Sequence, residues 1–342
     1  MCSAHSCTFA RTTIAVCGRD GPPRSSRRPT FAAVMASGIV SLAALQHDLP
    51  RVSAVLLAVA VLVFACLLVA HLRRFAGTRR GFAEDLRETG GVVPLLTFVA
   101  SCDVLGVRLL DSGADRVALA LWLVSLAAWA SLNAAFAIAL VRRAPPARAV
   151  GGDWLLLVVA TQAVAAHAAV LALRFDASAL LVVAVALSLL GLAAYPVLAA
   201  LVVRALRAGA PFTPDHWIAM GALAISAVAA GNIAALPPQL GVADLLRRAA
   251  DAVAVVGWLG ASGWVPWLVA TEARRGIAAF RYDGRRWATV FPLGMYSVAT
   301  FQLRTDHLVD VGGLSATFLG IAVAAWVAAA WGAARSIAHA AG

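Results

Sequence analysis

Residues 287–296 read Trp-Ala-Thr-Val-Phe-Pro-Leu-Gly-Met-Tyr, an apolar membrane-type stretch that contains a helix breaker. Pro292 removes one backbone hydrogen bond and crowds the preceding turn, so this helix is predicted to kink there, with Gly294 close by. In hydrocarbon the freed carbonyl must find a partner, which places such a helix inside a bundle or along a cavity. Phe291 adjoins the kink, where its ring is able to close a narrow path. Ordinary helix packing explains an aromatic–proline pair equally well.

The composition around this stretch is that of a polytopic membrane protein. Hydrophobic residues make up 62% of the chain and charged residues only 13%, about half the charged fraction of a soluble domain. The net charge of +11 comes from 28 basic residues, all of them arginine. In a membrane protein basic loops report orientation first, so nucleic acid is not predicted as a partner.

Ten apolar segments follow a polar tail, and each is long enough to cross the bilayer. Residues 1–29 are predicted to be a disordered cytoplasmic tail, and residues 30–337 to form one transmembrane domain. Short connections predict five antiparallel hairpins. The predicted spans are 30–46, 52–72, 91–110, 117–141, 153–173, 178–204, 214–236, 246–271, 287–304 and 313–335.

The arginines divide unevenly between the two sides that this topology defines. The tail, the C-terminus and the loops on their side hold 21 arginines, and the opposite side holds seven. Basic residues concentrate on the cytoplasmic side of membrane proteins. The sequence therefore predicts a multi-pass protein of the plasma membrane with both termini in the cytoplasm.

Polar residues concentrate in the odd-numbered spans, while the even-numbered spans consist mostly of Leu, Val and Ala. Polar groups that face lipid cost free energy, so the odd helices are predicted to form an inner ring of five around a pore and the even helices an outer ring. Small residues that allow close helix packing explain many of these positions individually. The candidate pore-lining hydroxyl residues are Ser37, Ser41, Thr97, Ser101, Ser226, Ser297 and Thr300.

Four motifs occur in order on the odd spans. Span one contains Phe-Ala-Ala-Val-Met-Ala-Ser-Gly at 31–38, and span three Phe-Val-Ala-Ser-Cys-Asp-Val-Leu-Gly at 98–106. Span seven opens with Pro-Asp-His-Trp-Ile-Ala-Met-Gly at 214–221, and span nine has Trp-x3-Phe-Pro-Leu-Gly at 287–294. Together they resemble the tellurite-resistance/C4-dicarboxylate transporter family, which includes malate permease, sulfite exporters and slow anion channels.

The resemblance implies a homotrimer in which each protomer has its own pore, formed by the five odd helices. It also implies that a phenylalanine on the ninth helix blocks that pore, which is Phe291 here. The transported substrate would be a small anion, and malate, sulfite, tellurite, nitrate and chloride all stay open. No cofactor is implied.

Asp103 and His167 are two of the ionisable residues inside the odd spans, and both lie away from the ends of their spans. An intramembrane carboxylate is costly and suggests a functional role by default, here coupling of transport to protons. Histidine is the side chain that most often exchanges protons near neutral pH, so His167 suits the same role. The alternative is structural, with both groups satisfied by hydrogen bonds. A proton-coupled dicarboxylate carrier is thus the rival of a passive channel.

Two further patterns point away from transport. Gly-Ala-Ser-Gly at 260–263 matches the sequence around the nucleophile of intramembrane serine proteases. The histidines downstream of Ser262, His307 and His339, lie outside the spans, and small residues for packing explain the fragment better. In the N-terminal tail Cys2, His5, Cys7 and Cys17 fit no zinc spacing, so no metal site is predicted. The protein is not predicted to be an enzyme.

Overall fold

The computed structural model describes residues 31–77, 89–276 and 282–341. The predicted tail and its cysteines lie outside these residues. Within them the chain is helical, with ten long helices: α1 Ala32–Gln46, α2 Pro50–Gly77, α3 Leu96–Leu110, α4 Asp115–Arg142, α5 Leu156–Phe175, α6 Ser178–Arg207, α7 Ile218–Ala234, α8 Asp244–Arg274, α9 Trp287–Thr305 and α10 Leu314–Ala341.

These ten helices correspond one to one with the ten predicted spans, and the prediction of an all-α membrane protein is confirmed. Eight of the helical stretches described are long and apolar enough to cross a membrane. The other two are α1, which has 15 residues and is about 22 Å long, and α9, whose polar residues lower its hydropathy. Both are almost completely buried in the bundle, so they do not need a fully apolar surface.

Four of the odd helices are preceded by tight turns that contain proline, aspartate or glycine. One-turn 3-10 segments precede α3, α5, α7 and α9. In the turn before α7, Pro214 occupies the first position, where its missing N–H is no loss, and Thr213 and His216 form a capping box. The segments are Val93–Leu95, Gly152–Leu155, Pro214–Trp217 and Gly284–Arg286.

Burial separates the helices into two groups. In the most apolar 18-residue windows, 72% of α3, 94% of α5 and 83% of α7 is buried, against 17–28% in the five even helices. The core of α9 is buried as well, from Val290 to Thr300. Large apolar side chains on the even helices, such as Leu62 and Leu189, are exposed. The even helices therefore present the surface that fits lipid.

Contacts between helices follow the same division. Each odd helix packs against the even helix that follows it, in five hairpins. The odd helices also pack against one another in the cyclic order α1, α3, α5, α7, α9 and back to α1. Small residues allow these close approaches: a Cβ added to Gly221 of α7 would lie 2.9 Å from the Cγ of Pro292 on α9.

Candidate functional site

An open cavity of about 330 Å³ lies among the C-terminal halves of the five odd helices. Every odd helix contributes to its wall, which shows that these five helices run in the same direction. At its mouth Asp111, Thr305 and Asp306 are exposed. The lining residues are Ile39, Leu42, Gln46, Asp103, Val104, Val107, Asp111, Ala163, Ala166, Val170, Ile225, Val228, Asn232, Met295, Val298, Phe301, Gln302, Thr305 and Asp306.

A layer of five buried residues lies one helical turn before the deepest lining residue of each odd helix. This layer, which we call the plug layer, contains a side chain from four helices and a glycine from the fifth, and all five residues are buried. They are Met35, Val99, Val159, Gly221 and Phe291. Phe291 is the largest of them and is completely buried.

The three residues predicted to form the gate lie at the crossings of α9 with α7 and α1. Phe291 is one turn below Met295, which lines the cavity. Pro292 packs on Gly221, and a Cβ added to Gly294 would lie 2.9 Å from the Cγ2 of Ile39. The helix α9 runs continuously through Pro292. The predicted kink and the gating role stay predictions.

The two predicted coupling residues are in direct contact. Asp103 lines the cavity, and its Oδ1 lies 3.0 Å from the Nδ1 of His167 on α5. Ser125 of α4 donates a hydrogen bond to the other carboxylate oxygen at 2.5 Å. The His167 ring is fully buried against Gly106, and its Nε2 has no hydrogen-bond partner among the described residues. The structure thus unites residues 64 positions apart into one buried polar cluster.

The seven hydroxyl residues predicted to line a pore are all buried, and none of them lines this cavity. Three of them donate hydrogen bonds to backbone carbonyl oxygens: Ser226 to Ala222 in α7, Ser101 to Phe31 before α1, and Thr97 to Pro94 before α3. The other four contact even helices, where Ser37 accepts from Trp326, Ser41 donates to the carbonyl of Ser53, Ser297 donates to that of Ser315, and Thr300 accepts from Trp258.

These hydroxyl groups satisfy buried polar atoms between helices, since an unpaired polar group in a membrane bundle costs free energy. The prediction placed all seven inside the bundle, where the structure also has them. Helical periodicity alone, however, does not separate the face that meets a neighbouring helix from the face that meets a cavity. A lining role elsewhere along the path stays a prediction.

Apart from Thr305, the polar lining of the cavity consists of amides and carboxylates. Gln302 of α9 donates a hydrogen bond to Asn232 of α7 at 3.0 Å, and Asn232 donates to the carbonyl of Ala166 on α5. Gln46 contributes a third carboxamide, with its Oε1 buried and unpaired. The sequence did carry a signal for them, because all three are amides inside odd spans.

Carboxylates at the cavity mouth have shifted pKa values. Burial raises the pKa of Asp111 above its usual range, and the Arg108 guanidinium, 3.8 Å away, offsets part of that shift. Burial and the neighbouring Asp251 raise the pKa of Asp306, while His307 opposes this shift. Both groups are partly exposed but also partly desolvated by the surrounding protein, so each holds a proton more readily than an aspartate free in water does.

The serine of the protease-like fragment has an ordinary structural environment. Ser262 Oγ lies 2.6 Å from the hydroxyl of Tyr296 and donates to the carbonyl of Trp258. A nucleophilic serine needs a base, and no histidine is among the hydrogen-bond partners of Ser262. Among the described residues no group of three or more metal-ligating side chains occurs either.

The fold and this cavity define a multi-pass helical membrane protein with a cavity between its inner helices. A family model described as "Voltage-dependent anion channel" (SLAC1) matches residues 29–334 of the chain. The protein therefore belongs to the SLAC1 family of voltage-dependent anion channels, as the four motifs predicted.

Similar proteins add little about function. The chain is 32% identical over 124 residues to uncharacterized membrane proteins from two strains of Mycobacterium tuberculosis, CDC 1551 / Oshkosh and ATCC 25618 / H37Rv. The match covers 34% of this chain and 61% of each relative. These relatives support a membrane location and leave the transported species open.

Proposed function

We propose that this protein carries small anions across the membrane through the centre of its odd-helix bundle, and that Phe291 blocks the path in the structure described. The observation that carries the proposal is the cavity that all five odd helices line and that ends at the plug layer. Membership of an anion channel family supports the anion as substrate. Translocation through such a path involves no bond chemistry.

The plug layer is suited to block an ion because its side chains are apolar and buried. Met35, Val99, Val159 and Phe291 are buried, and an ion that passes between them would lose its hydration shell without gaining polar partners. Hydrophobic constrictions of this kind close membrane pores to ions and water. Rotation of the Phe291 ring, or its removal, would join the cavity to the opposite side.

The experiment is a flux measurement in liposomes with wild type, Phe291→Ala and Phe318→Ala, using chloride and nitrate. Phe291→Ala is expected to raise flux by about tenfold or more, because the apolar barrier is removed. Phe318 is a matched control, a buried phenylalanine on α10 that contacts Tyr296 outside the plug layer. Equal fluxes in all three proteins would contradict the proposed gate, and the absence of flux in all would contradict transport.

A proton-coupled carrier is a second candidate, and the Asp103–His167 contact favours it. A carboxylate and an imidazole 3.0 Å apart beside the cavity are able to hold and release one proton. The same liposomes, with and without a pH gradient, separate the two candidates. Flux that requires the gradient and changes little in Phe291→Ala would favour the carrier, and C4-dicarboxylates would then be the first substrates to test.

We further propose a homotrimer in the plasma membrane with cytoplasmic termini. The uneven distribution of arginines supports the orientation, and the exposed apolar faces of the even helices support contacts with lipid or with other protomers. In this orientation the cavity opens to the outside.

A further inference from the structure

The walls of the cavity carry acidic groups that no basic side chain among the lining residues balances. Asp103, Asp111 and Asp306 all line it. Arg108 lies 3.8 Å from Asp111 but is buried beside Ser53, to which it donates hydrogen bonds. Asp103 contacts His167, so the pair together carries either one negative charge or no net charge. The lining therefore provides no net positive charge to attract an anion.

The backbone adds to this polarity. All five odd helices direct their C-terminal ends toward the cavity mouth, and the C-terminal end of a helix carries a partial negative charge. The backbone N–H groups that cap these ends, such as those of Asp306 and His47, donate hydrogen bonds to only some of the carbonyl groups in the last turn. A doubly charged anion would meet about twice the repulsion that a singly charged one meets.

The rest of the wall is apolar, with a few neutral groups that form hydrogen bonds. Leu42, Val104, Val298 and Phe301 provide hydrocarbon surface. Gln302 uses one of its two amide hydrogens on Asn232, and the second is available to a ligand. A volume of about 330 Å³ far exceeds the space that one halide or one water requires.

We infer that this cavity binds a monovalent organic acid with an aliphatic body, such as a short-chain monocarboxylate, in preference to a dicarboxylate or an inorganic anion. The single carboxylate would bind the free amide hydrogen of Gln302, and the hydrocarbon would contact the apolar wall. Burial of that hydrocarbon favours the organic acid over nitrate or chloride, and the acidic wall disfavours a second charge. This inference rests on the proposed transport function.

The experiment measures reversal potentials in planar bilayers that contain Phe291→Ala, with butyrate, succinate or nitrate opposite chloride, at equal pH on both sides. A current measurement detects only the charged form, so the neutral acid, which crosses lipid without a protein, does not contribute. We expect a permeability ratio of butyrate to succinate of about ten or more, with butyrate also ahead of nitrate. A ratio near one, or nitrate ahead of butyrate, would overturn the inference and leave anion transport intact.

Two variants test the cause of the selectivity. Asp111→Asn combined with Asp306→Asn is expected to lower the butyrate-to-succinate ratio several-fold. Asp115→Asn is the matched control, since Asp115 pairs with Arg174 near the same end of the bundle and does not line the cavity. Equal ratios in all variants would overturn the role of the acidic wall.

A binding measurement on the wild-type protein tests the inference even if a variant fails to fold. Saturation-transfer NMR in detergent would detect the methyl and methylene protons of butyrate, with succinate as the comparison ligand. Signal for butyrate that Val298→Gln reduces supports the site, whereas equal signal for succinate overturns it. Absence of current for all anions would contradict the proposed transport itself, which separates the two failures.

Discussion

The two ends of the inner bundle are built from consecutive turns of the same five helices, yet they differ in packing and polarity. In the C-terminal half, small and flexible residues such as Ala163, Ala166 and Met295 leave a cavity. One turn below, Val159 and Phe291 are fully buried. The comparison teaches that side-chain size changes within one turn of the bundle, while the helices themselves continue unchanged through both levels.

The two ends also differ in how their polar groups are used. At the cavity, carboxylates and amides face open space, with the Gln46 Oε1 unpaired. Around the plug layer the buried hydroxyl groups bond to carbonyl groups or neighbouring helices, as Ser37 and Ser101 do. Polar groups inside the bundle thus line a cavity at one level and join neighbouring helices at the next.

The largest expected effect comes from blocking the cavity itself. Val298→Cys in the Phe291→Ala background places a thiol on the cavity wall, and a bulky methanethiosulfonate reagent is expected to reduce anion flux by about tenfold or more, because an obstructed path excludes the ion. Val124→Cys on the exposed face of α4 is the control. If modification at both positions has the same effect, the cavity does not belong to the path.

A smaller effect is expected from the contact that holds His167 in place. Gly106→Ala would place a methyl group in steric clash with the Cε1 of His167, and a shift of this ring would disturb its contact with Asp103. Overpacking of this kind costs about 1–3 kcal/mol, and a lower melting temperature in detergent would report it. Gly263→Ala, where a Cβ meets open space, should melt near the wild-type temperature.

The acidic mouth is expected to make stability depend modestly on pH. Burial raises the pKa values of Asp111 and Asp306 above their ordinary value of 3.8. A carboxyl group with a higher pKa in the folded state binds its proton more tightly there, so stability falls as pH rises through this window. The melting temperature should therefore be about 1–3 °C higher at pH 5 than at pH 7.

The Asp111→Asn, Asp306→Asn double variant isolates this contribution. Its melting temperature should vary less between pH 5 and pH 7 than that of the wild type, whereas Asp115→Asn should retain the full dependence. An unchanged pH dependence in the double variant would assign the effect to other groups.

The smallest effect is expected at Ser262. Ser262→Ala removes a hydrogen bond to Tyr296 but leaves the cavity and the plug layer intact. Anion flux should stay within about twofold of the wild type, because a surface or interhelical hydrogen bond contributes only modestly. A complete loss of anion flux in a folded Ser262→Ala protein would contradict this expectation and would make Ser262 a candidate functional residue.

Much of the fold was predictable from the sequence because the bilayer imposes simple rules. Hydrocarbon thickness sets the length of the spans, and all ten predicted spans correspond to helices. The cost of exposing polar groups to lipid explains why α5, with Thr161, Gln162 and His167, is buried while α2 is not. These rules act on each segment separately, so they can be applied without knowing its neighbours.

The site was predictable only in part. Asp103 and His167 stood out because an ionisable side chain inside a membrane span is unusual, and Phe291 because it adjoins the proline predicted to kink its helix. The structure alone decided that Asp103 meets His167 and that Gln46, Asn232 and Gln302, rather than the hydroxyl residues, line the cavity. Such contacts depend on the rotation and closeness of packed helices, which side-chain shape fixes in three dimensions and helical periodicity does not record.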